Sequence, residues 1–89
     1  MDRFTVKGIN GSYSIADDDV GKAVHKLGLF EDAYDELFLS IERIPSELEA
    51  MRVQGKEKTV RYKETLAQKL IYNNIAAFFE QHGLKQGRE

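Results

Sequence analysis

The segment RVQGKEKTVRYK, residues 52–63, places basic side chains on both sides of one glycine. Its basic members are Arg52, Lys56, Lys58, Arg61 and Lys63. Lysine and arginine side chains near a helix N-terminus can neutralise phosphates, and Tyr62 offers a ring on which a base can stack. This basic segment therefore predicts one candidate function, a weak contact with nucleic acid or phosphate.

The alternative for the basic segment is a solvated turn between two helices. Glu57 and Glu64 dilute its positive charge, and the isoelectric point near 5.7 is unlike that of a dedicated nucleic-acid-binding protein. Residues 17–49 carry ten acidic and three basic side chains, whereas residues 50–72 carry six basic and two acidic ones. A solvated turn, or charge pairing between an acidic and a basic helix within one chain or between subunits, is therefore the favoured interpretation of the segment.

No set of residues has the spacing of a catalytic or metal site. The chain contains no cysteine, which excludes disulfides and thiolate nucleophiles. His25 and His82 have no second ligand at metal-binding spacing, and the aspartates at 17–19 lack the glycine and glutamate of a calcium loop. We therefore predict a protein that is not an enzyme, with no catalytic residue, cofactor, metal or small-molecule substrate.

The bulk properties of the chain narrow its class further. Its 89 residues are enough for one domain with a thin core. The first residues contain no apolar run of the kind found in secretory signals, and no stretch is long enough to span a membrane. These features predict a soluble, cytoplasmic protein without a membrane partner.

Residues 4–16 predict a β-hairpin. Asn10-Gly11 favours a two-residue type I′ turn, because both central positions of that turn need a positive φ. With this turn, Val6 pairs with Ile15. The face predicted to be apolar then carries Phe4, Val6, Tyr13 and Ile15.

Three helical segments and a tail follow the hairpin. They are a short helix at 18–27, a longer helix at 30–54, a C-terminal helix at 58–82 and a frayed tail at 84–89. Apolar residues recur every three or four positions in the helices. Gly28, Gly55 and Gly83 are placed to end the three helices, and Pro45 is expected to kink or break the second.

Together these elements predict an α+β fold in a single domain, 1–89. A β-hairpin and a short helix precede a long antiparallel helical hairpin, which makes the chain mostly helical. The line of the C-terminal helix predicted to pack on the other arm consists of Tyr62, Leu66, Leu70 and Ala77.

The second half of the C-terminal helix is apolar on most of its circumference, which predicts contacts on two sides. The residues predicted to remain for a partner are Ile71, Asn74, Ile75 and Phe79. A buried asparagine can fix the register of such an interface; the alternative is that Asn73 and Asn74 face water.

A lone hairpin is only marginally stable in water. This instability, together with the apolar C-terminal helix, favours a homodimer over another protein partner. The sequence thus predicts a small non-catalytic protein-interaction or regulatory accessory module. The alternative is a weak nucleic-acid- or phosphate-binding accessory protein that uses the basic segment.

Overall fold

The computed structural model describes residues 3–85. Strands β1 (Thr5–Lys7) and β2 (Tyr13–Ile15) are followed by a 3₁₀ turn (Asp17–Asp19), helix α1 (Val20–Val53) and helix α2 (Val60–Gln81). The predicted fold class, a mostly helical α+β chain with an N-terminal β-hairpin and a long helical hairpin, is confirmed. The chain divides into two compact units, Met1–Ala33 and Tyr34–Glu89.

The hairpin forms where it was predicted, but its register differs by one residue. Val6 pairs with Ser14 instead of Ile15. The loop contains three residues, because the Gly8 carbonyl accepts from the Gly11 amide at 3.0 Å and the Gly8 amide donates to the Ser12 carbonyl at 2.7 Å. Such a loop requires one left-handed residue, and Gly11 provides it with a φ of 83°.

The shift in register overturns the predicted apolar face. In the observed pairing, Tyr13 and Ile15 share a face with Thr5 and Lys7, and Phe4 lies on the other face. The Lys7 ammonium accordingly lies 5.9 Å from the centre of the Tyr13 ring. The two half-buried apolar residues of the hairpin, Phe4 and Ile15, therefore come from opposite faces.

Helix α1 is continuous where the sequence predicted two separate helices. The short helix predicted at 18–27 and the longer one at 30–54 are both parts of α1, which passes through Gly28 and Pro45. A glycine in a helix costs about 1 kcal/mol. Ending one helix at Gly28 and starting another would add a second unfavourable nucleation. Pro45 lies on the exposed side of α1, and the helix continues although this residue has no amide hydrogen to donate.

The second unit is an antiparallel pair made of the C-terminal part of α1 and all of α2. Its core is the buried trio Ile44, Leu48 and Met51, against which Tyr62 and Tyr72 of α2 pack. Ile44 is 0% exposed. This core is small, as expected for a chain of this length.

Contacts at both ends of the second unit establish the antiparallel orientation. At one end the Tyr34 and Phe79 rings meet edge to face with centroids 5.6 Å apart, and the Tyr34 hydroxyl donates to the Leu84 carbonyl at 2.8 Å. At the other end Arg52 Nε donates to the Tyr62 hydroxyl at 3.0 Å. The predicted helical hairpin is therefore present between residues 34 and 84.

Both helices end at glycines, as predicted. Gly55, with a φ of 71°, follows α1, and the amides of Gly55 and Lys56 donate to the carbonyls of Arg52 and Met51. This double hydrogen bond is the Schellman arrangement, which satisfies the last carbonyls of a helix. The same pair of bonds recurs at Gly83. Of the predicted tail at 84–89, residues 86–89 lie outside the described part of the chain.

Over residues 3–85, neither helix combines the length and the apolar character needed to cross a membrane.

Candidate functional site

Helix α2 turns an aromatic and partly polar stripe towards α1. The residues of this inner stripe are buried or half-buried and consist of Tyr62, Thr65, Lys69, Tyr72, Ala76 and Phe79. Tyrosine suits such a position because its ring packs while its hydroxyl reaches a partner at the edge. Thr65 is buried and satisfies its own hydroxyl by donating to the Arg61 carbonyl at 2.8 Å.

The aliphatic residues of α2 lie on the opposite side. We define the outer stripe as Val60, Ala67, Leu70, Ile71, Asn74 and Phe78, all of which are exposed. Leu70 is 61% exposed, Ile71 54% and Phe78 58%. Positions 70 and 72 differ by about 200° around a helix, so a helix that packs Tyr72 on α1 must turn Leu70 outwards.

This orientation corrects the predicted packing line of α2. Of the four residues expected to pack on α1, Tyr62 does so, whereas Leu66, Leu70 and Ala77 are exposed. The spacing of apolar residues, on which the predicted line is based, does not distinguish the two sides of this helix. The aromatic side chains of the inner stripe fill more of the space beside the trio of α1, and they also form polar contacts at the edges of the pair.

The residues predicted to contact a partner lie on both sides of α2, the outer stripe and the inner stripe. Ile71 and Asn74 belong to the outer stripe, and Ile75 lies at its border with 39% exposure. Phe79 is half-buried and forms edge-to-face pairs with Tyr34 and Phe78. The structure therefore leaves three of the four predicted residues accessible and gives the fourth an internal role.

Four outer-stripe residues are not among the predicted contacts: Val60, Ala67, Leu70 and Phe78. The sequence predicts Leu70 as part of the internal packing line. The sequence does contain a signal for these four residues. They lie about half a turn around the helix from the inner aromatic residues Tyr62, Tyr72 and Phe79.

Asn74 lies in the middle of the exposed apolar residues of α2. Its side chain is exposed and forms no hydrogen bond with the other residues that the structure describes. An amide that became covered by apolar groups at this place would need a polar partner. Within the single chain the Asn74 side chain faces solvent, as the alternative predicts, and its role in setting a register stays a prediction.

The basic segment is divided by the turn between the helices. Arg52 lies in the last turn of α1, where its Nε donates a hydrogen bond to the Tyr62 hydroxyl. Its Nη1 lies 3.3 Å from Glu49 Oε2, and its guanidinium carbon lies 5.9 Å from the centre of the Tyr62 ring. The hydrogen bond with the Tyr62 hydroxyl, followed by that with Glu49, raises the pKa of Arg52 above its ordinary value. This guanidinium joins α1 to α2 and is already engaged.

The other four cations of the segment are exposed. Lys56 and Lys58 lie in the turn, and Arg61 and Lys63 lie in the first turn of α2. Their side chains have no ion-pair or hydrogen-bond partner among residues 3–85. The helix itself is capped, because the Thr59 hydroxyl accepts from the Tyr62 amide at 3.2 Å. Four of the five predicted phosphate contacts thus lie at one end of the second unit, and Arg61 and Lys63 differ by about 200° around α2.

The histidines are placed separately. His82 Nδ1 lies 2.9 Å from the Phe78 carbonyl, and its ring lies 4.5 Å from the Phe78 ring, whereas His25 is exposed on the N-terminal part of α1. In the part of the chain that the structure describes, no three metal-ligating side chains converge.

No protein-family model matches the chain, and no curated protein or solved structure is detectably similar to it. Function must therefore be argued from the outer stripe and the basic segment themselves.

Proposed function

We propose that this protein is a small non-catalytic protein-interaction module, of a regulatory or accessory kind, that acts through the outer stripe of α2. The observation that carries the proposal is the orientation of α2, which places Leu70, Ile71 and Phe78 in solvent. Single exposed apolar residues are ordinary on protein surfaces, but several large apolar side chains exposed along one side of a helix are typical of an interaction site.

The energetics of burial support this proposal. Fully burying a leucine, isoleucine or phenylalanine side chain contributes about 1.5–3 kcal/mol. In Leu70, Ile71 and Phe78, more than half of the surface of each residue is exposed to solvent. Covering the three residues therefore offers roughly 3–5 kcal/mol per chain before the entropy lost on association is counted.

The proposal is tested by photo-crosslinking in the native cell. A photo-reactive phenylalanine analogue replaces Ile71 in one variant and Leu39 in a matched control, since Leu39 is also apolar and is 63% exposed on α1. We expect discrete adducts at position 71, either with another protein or with a second copy, and far fewer at position 39. Equal or absent adduct formation at the two positions contradicts the proposal.

A second candidate function is favoured by one observation, the four exposed cations without a partner. We propose as the alternative a weak nucleic-acid- or phosphate-binding accessory protein that uses Lys56, Lys58, Arg61 and Lys63. Arg52 contributes less to this function, because its guanidinium is engaged by Tyr62 and Glu49.

The alternative predicts a mobility shift of single-stranded nucleic acid that weakens steeply as the salt concentration rises. The triple substitution of Lys56, Lys58 and Arg61 by alanine is expected to abolish the shift, whereas Lys22→Ala, which removes one positive charge from α1 outside the basic segment, is expected to leave it nearly unchanged. If the wild-type protein gives no shift at about 50 mM salt, this alternative is wrong.

A further inference from the structure

We infer that the occupant of the outer stripe is a second copy of this chain, paired through a two-fold axis that sets α2 antiparallel to α2 of its partner. The inference rests on the proposed function, since it identifies the partner of the same surface. Two helical hairpins joined in this way form a four-helix arrangement in which the outer stripes become the central seam.

Side-chain size along the outer stripe favours the antiparallel orientation. The N-terminal half of the stripe contributes Val60 and Ala67, and the C-terminal half contributes the larger Phe78. An antiparallel pair sets the smaller residues of one copy against the larger ring of the other. A parallel pair would instead place Phe78 against Phe78 and Ala67 against Ala67, which overfills one layer and underfills another.

Charge complementarity favours the same orientation. The exposed cations Lys56, Lys58, Arg61 and Lys63 lie at the turn end of the second unit. The opposite end, marked by the contact between Tyr34 and Phe79, carries the exposed acids Asp35, Glu36 and Glu80. An antiparallel pair places the basic end of each copy beside the acidic end of the other. A parallel pair would instead bring eight cations to one end, with only the four carboxylates of Glu57 and Glu64 from the two copies among them.

The size of the contact predicts how strong the pairing is. Helix α2 has 22 residues and is therefore about 33 Å long, and the contact covers one of its faces. Two such faces bury less than about 1,200 Å² in total, which belongs to the small class of interfaces. We therefore expect a dimer that dissociates on dilution rather than an obligate one.

The first test is sedimentation equilibrium of the full chain from about 5 μM to about 1 mM. We expect the mass to rise from 10.2 kDa towards twice that value. Ile71→Glu and the milder Ile71→Ser should hold the protein at the monomer mass, while Leu39→Glu, at the exposed control site, should leave association unchanged. A monomer mass throughout, or equal loss of association in the Leu39 variant, overturns the inference.

Salt provides a second readout that depends on orientation. Because opposite charges meet in the antiparallel pair, raising the salt concentration from about 50 mM to about 500 mM should increase the dissociation constant roughly three- to tenfold. A parallel pair brings like charges together, so its dissociation constant would fall, and that result overturns the antiparallel assignment.

Disulfide trapping tests the orientation directly, because the chain has no cysteine of its own. Lys63 and Gln81 lie on the same side of α2, about 27 Å apart along its axis, which is far beyond disulfide reach. When the single variants Lys63→Cys and Gln81→Cys are mixed and oxidised, we expect the mixed disulfide to predominate. Predominant pairing of each variant with itself overturns the antiparallel assignment.

The outcomes for the proposed function and for this inference can be distinguished. If the purified chain stays monomeric while position 71 crosslinks to a different protein in the cell, the second-copy inference is wrong and the proposed function stands. If neither association nor adducts at position 71 are found, both are wrong. Circular dichroism of each variant establishes that lost association does not arise from unfolding.

Discussion

At the residue scale, the glycines of this chain have opposite roles that depend on the sign of φ. Gly55 has a φ of 71° and closes α1, whereas Gly28 lies inside α1 without a positive φ. A methyl group added at either position meets no atom within 4 Å. Backbone conformation alone therefore separates the effects of the two substitutions.

We predict that Gly55→Ala lowers the free energy of unfolding by about 1 kcal/mol, because an L-residue is strained in the left-handed conformation. Gly28→Ala is expected to raise it by up to about 1 kcal/mol, because alanine is the better helix residue. Urea unfolding followed by circular dichroism measures both changes. Effects of the same sign would contradict this account of the two glycines.

The core residue with the largest predicted effect is Ile44, which has no exposed surface. Ile44→Ala should destabilise the protein by about 2–5 kcal/mol, because it removes buried methyl groups and leaves a cavity beside Leu48 and Met51. The control Leu39→Ala, at an exposed site, should change stability by less than about 0.5 kcal/mol. If urea unfolding shows that the two variants lose similar amounts of stability, Ile44 is not part of the core.

Asn74 gives a residue-scale prediction for the pairing of two copies. Asn74→Leu should lower the dissociation constant of the dimer, because a leucine adds apolar surface where the amide stands among Leu70, Ile71 and Phe78. The same change should reduce orientational specificity, which disulfide trapping would register as additional self-paired species. A variant that associates more weakly than wild type would show that the amide contributes a favourable polar contact instead.

At the element scale, helix α1 contains a proline that it does not require for its fold. Pro45 lies on the exposed side of the helix and cannot donate a hydrogen bond to the preceding turn. We predict that Pro45→Ala raises the free energy of unfolding, by up to about 3 kcal/mol, and leaves the helical content unchanged or higher. Ser46→Ala, at the next exposed position, is the control and should contribute less than about 0.5 kcal/mol. A destabilised Pro45→Ala variant would mean that the proline shapes α1 in a way its exposure does not reveal.

Helix ends and turns could be predicted from the sequence where the local pattern is compatible with only one structure. Gly55 and Gly83 each follow an apolar repeat, and they end α1 and α2 as expected. Asn10-Gly11 is compatible with both a two-residue and a three-residue loop, so the sequence established the hairpin but not its register. Of the two outcomes predicted at Pro45, a kink or a break, the break does not occur, because a restarted helix would carry a second nucleation cost.

At the scale of the molecule, the side of α2 that faces α1 could not be read from periodicity. Tyr62, Tyr72 and Phe79 form one stripe, and the outer stripe forms another, so a helix that is apolar on most sides has two plausible packing faces. The choice depends on which side chains fit beside Ile44 and on edge contacts such as Arg52 with Tyr62. These are long-range properties of the folded pair. The same ambiguity explains why the sequence predicts Ile71, Asn74 and Ile75 as partner contacts but assigns Leu70, which is also exposed, to the internal packing line.

The most direct test of the account is an NMR measurement of which α2 residues contact Ile44. In dilute, monomeric protein, we predict NOEs from the Ile44 methyl groups to the ring of Tyr72, and an NOE between the Tyr34 and Phe79 rings. NOEs from Ile44 to the methyl groups of Leu70 in place of Tyr72 would show that α2 packs through its aliphatic side. That result would remove the outer stripe and, with it, both the proposed function and the pairing of two copies.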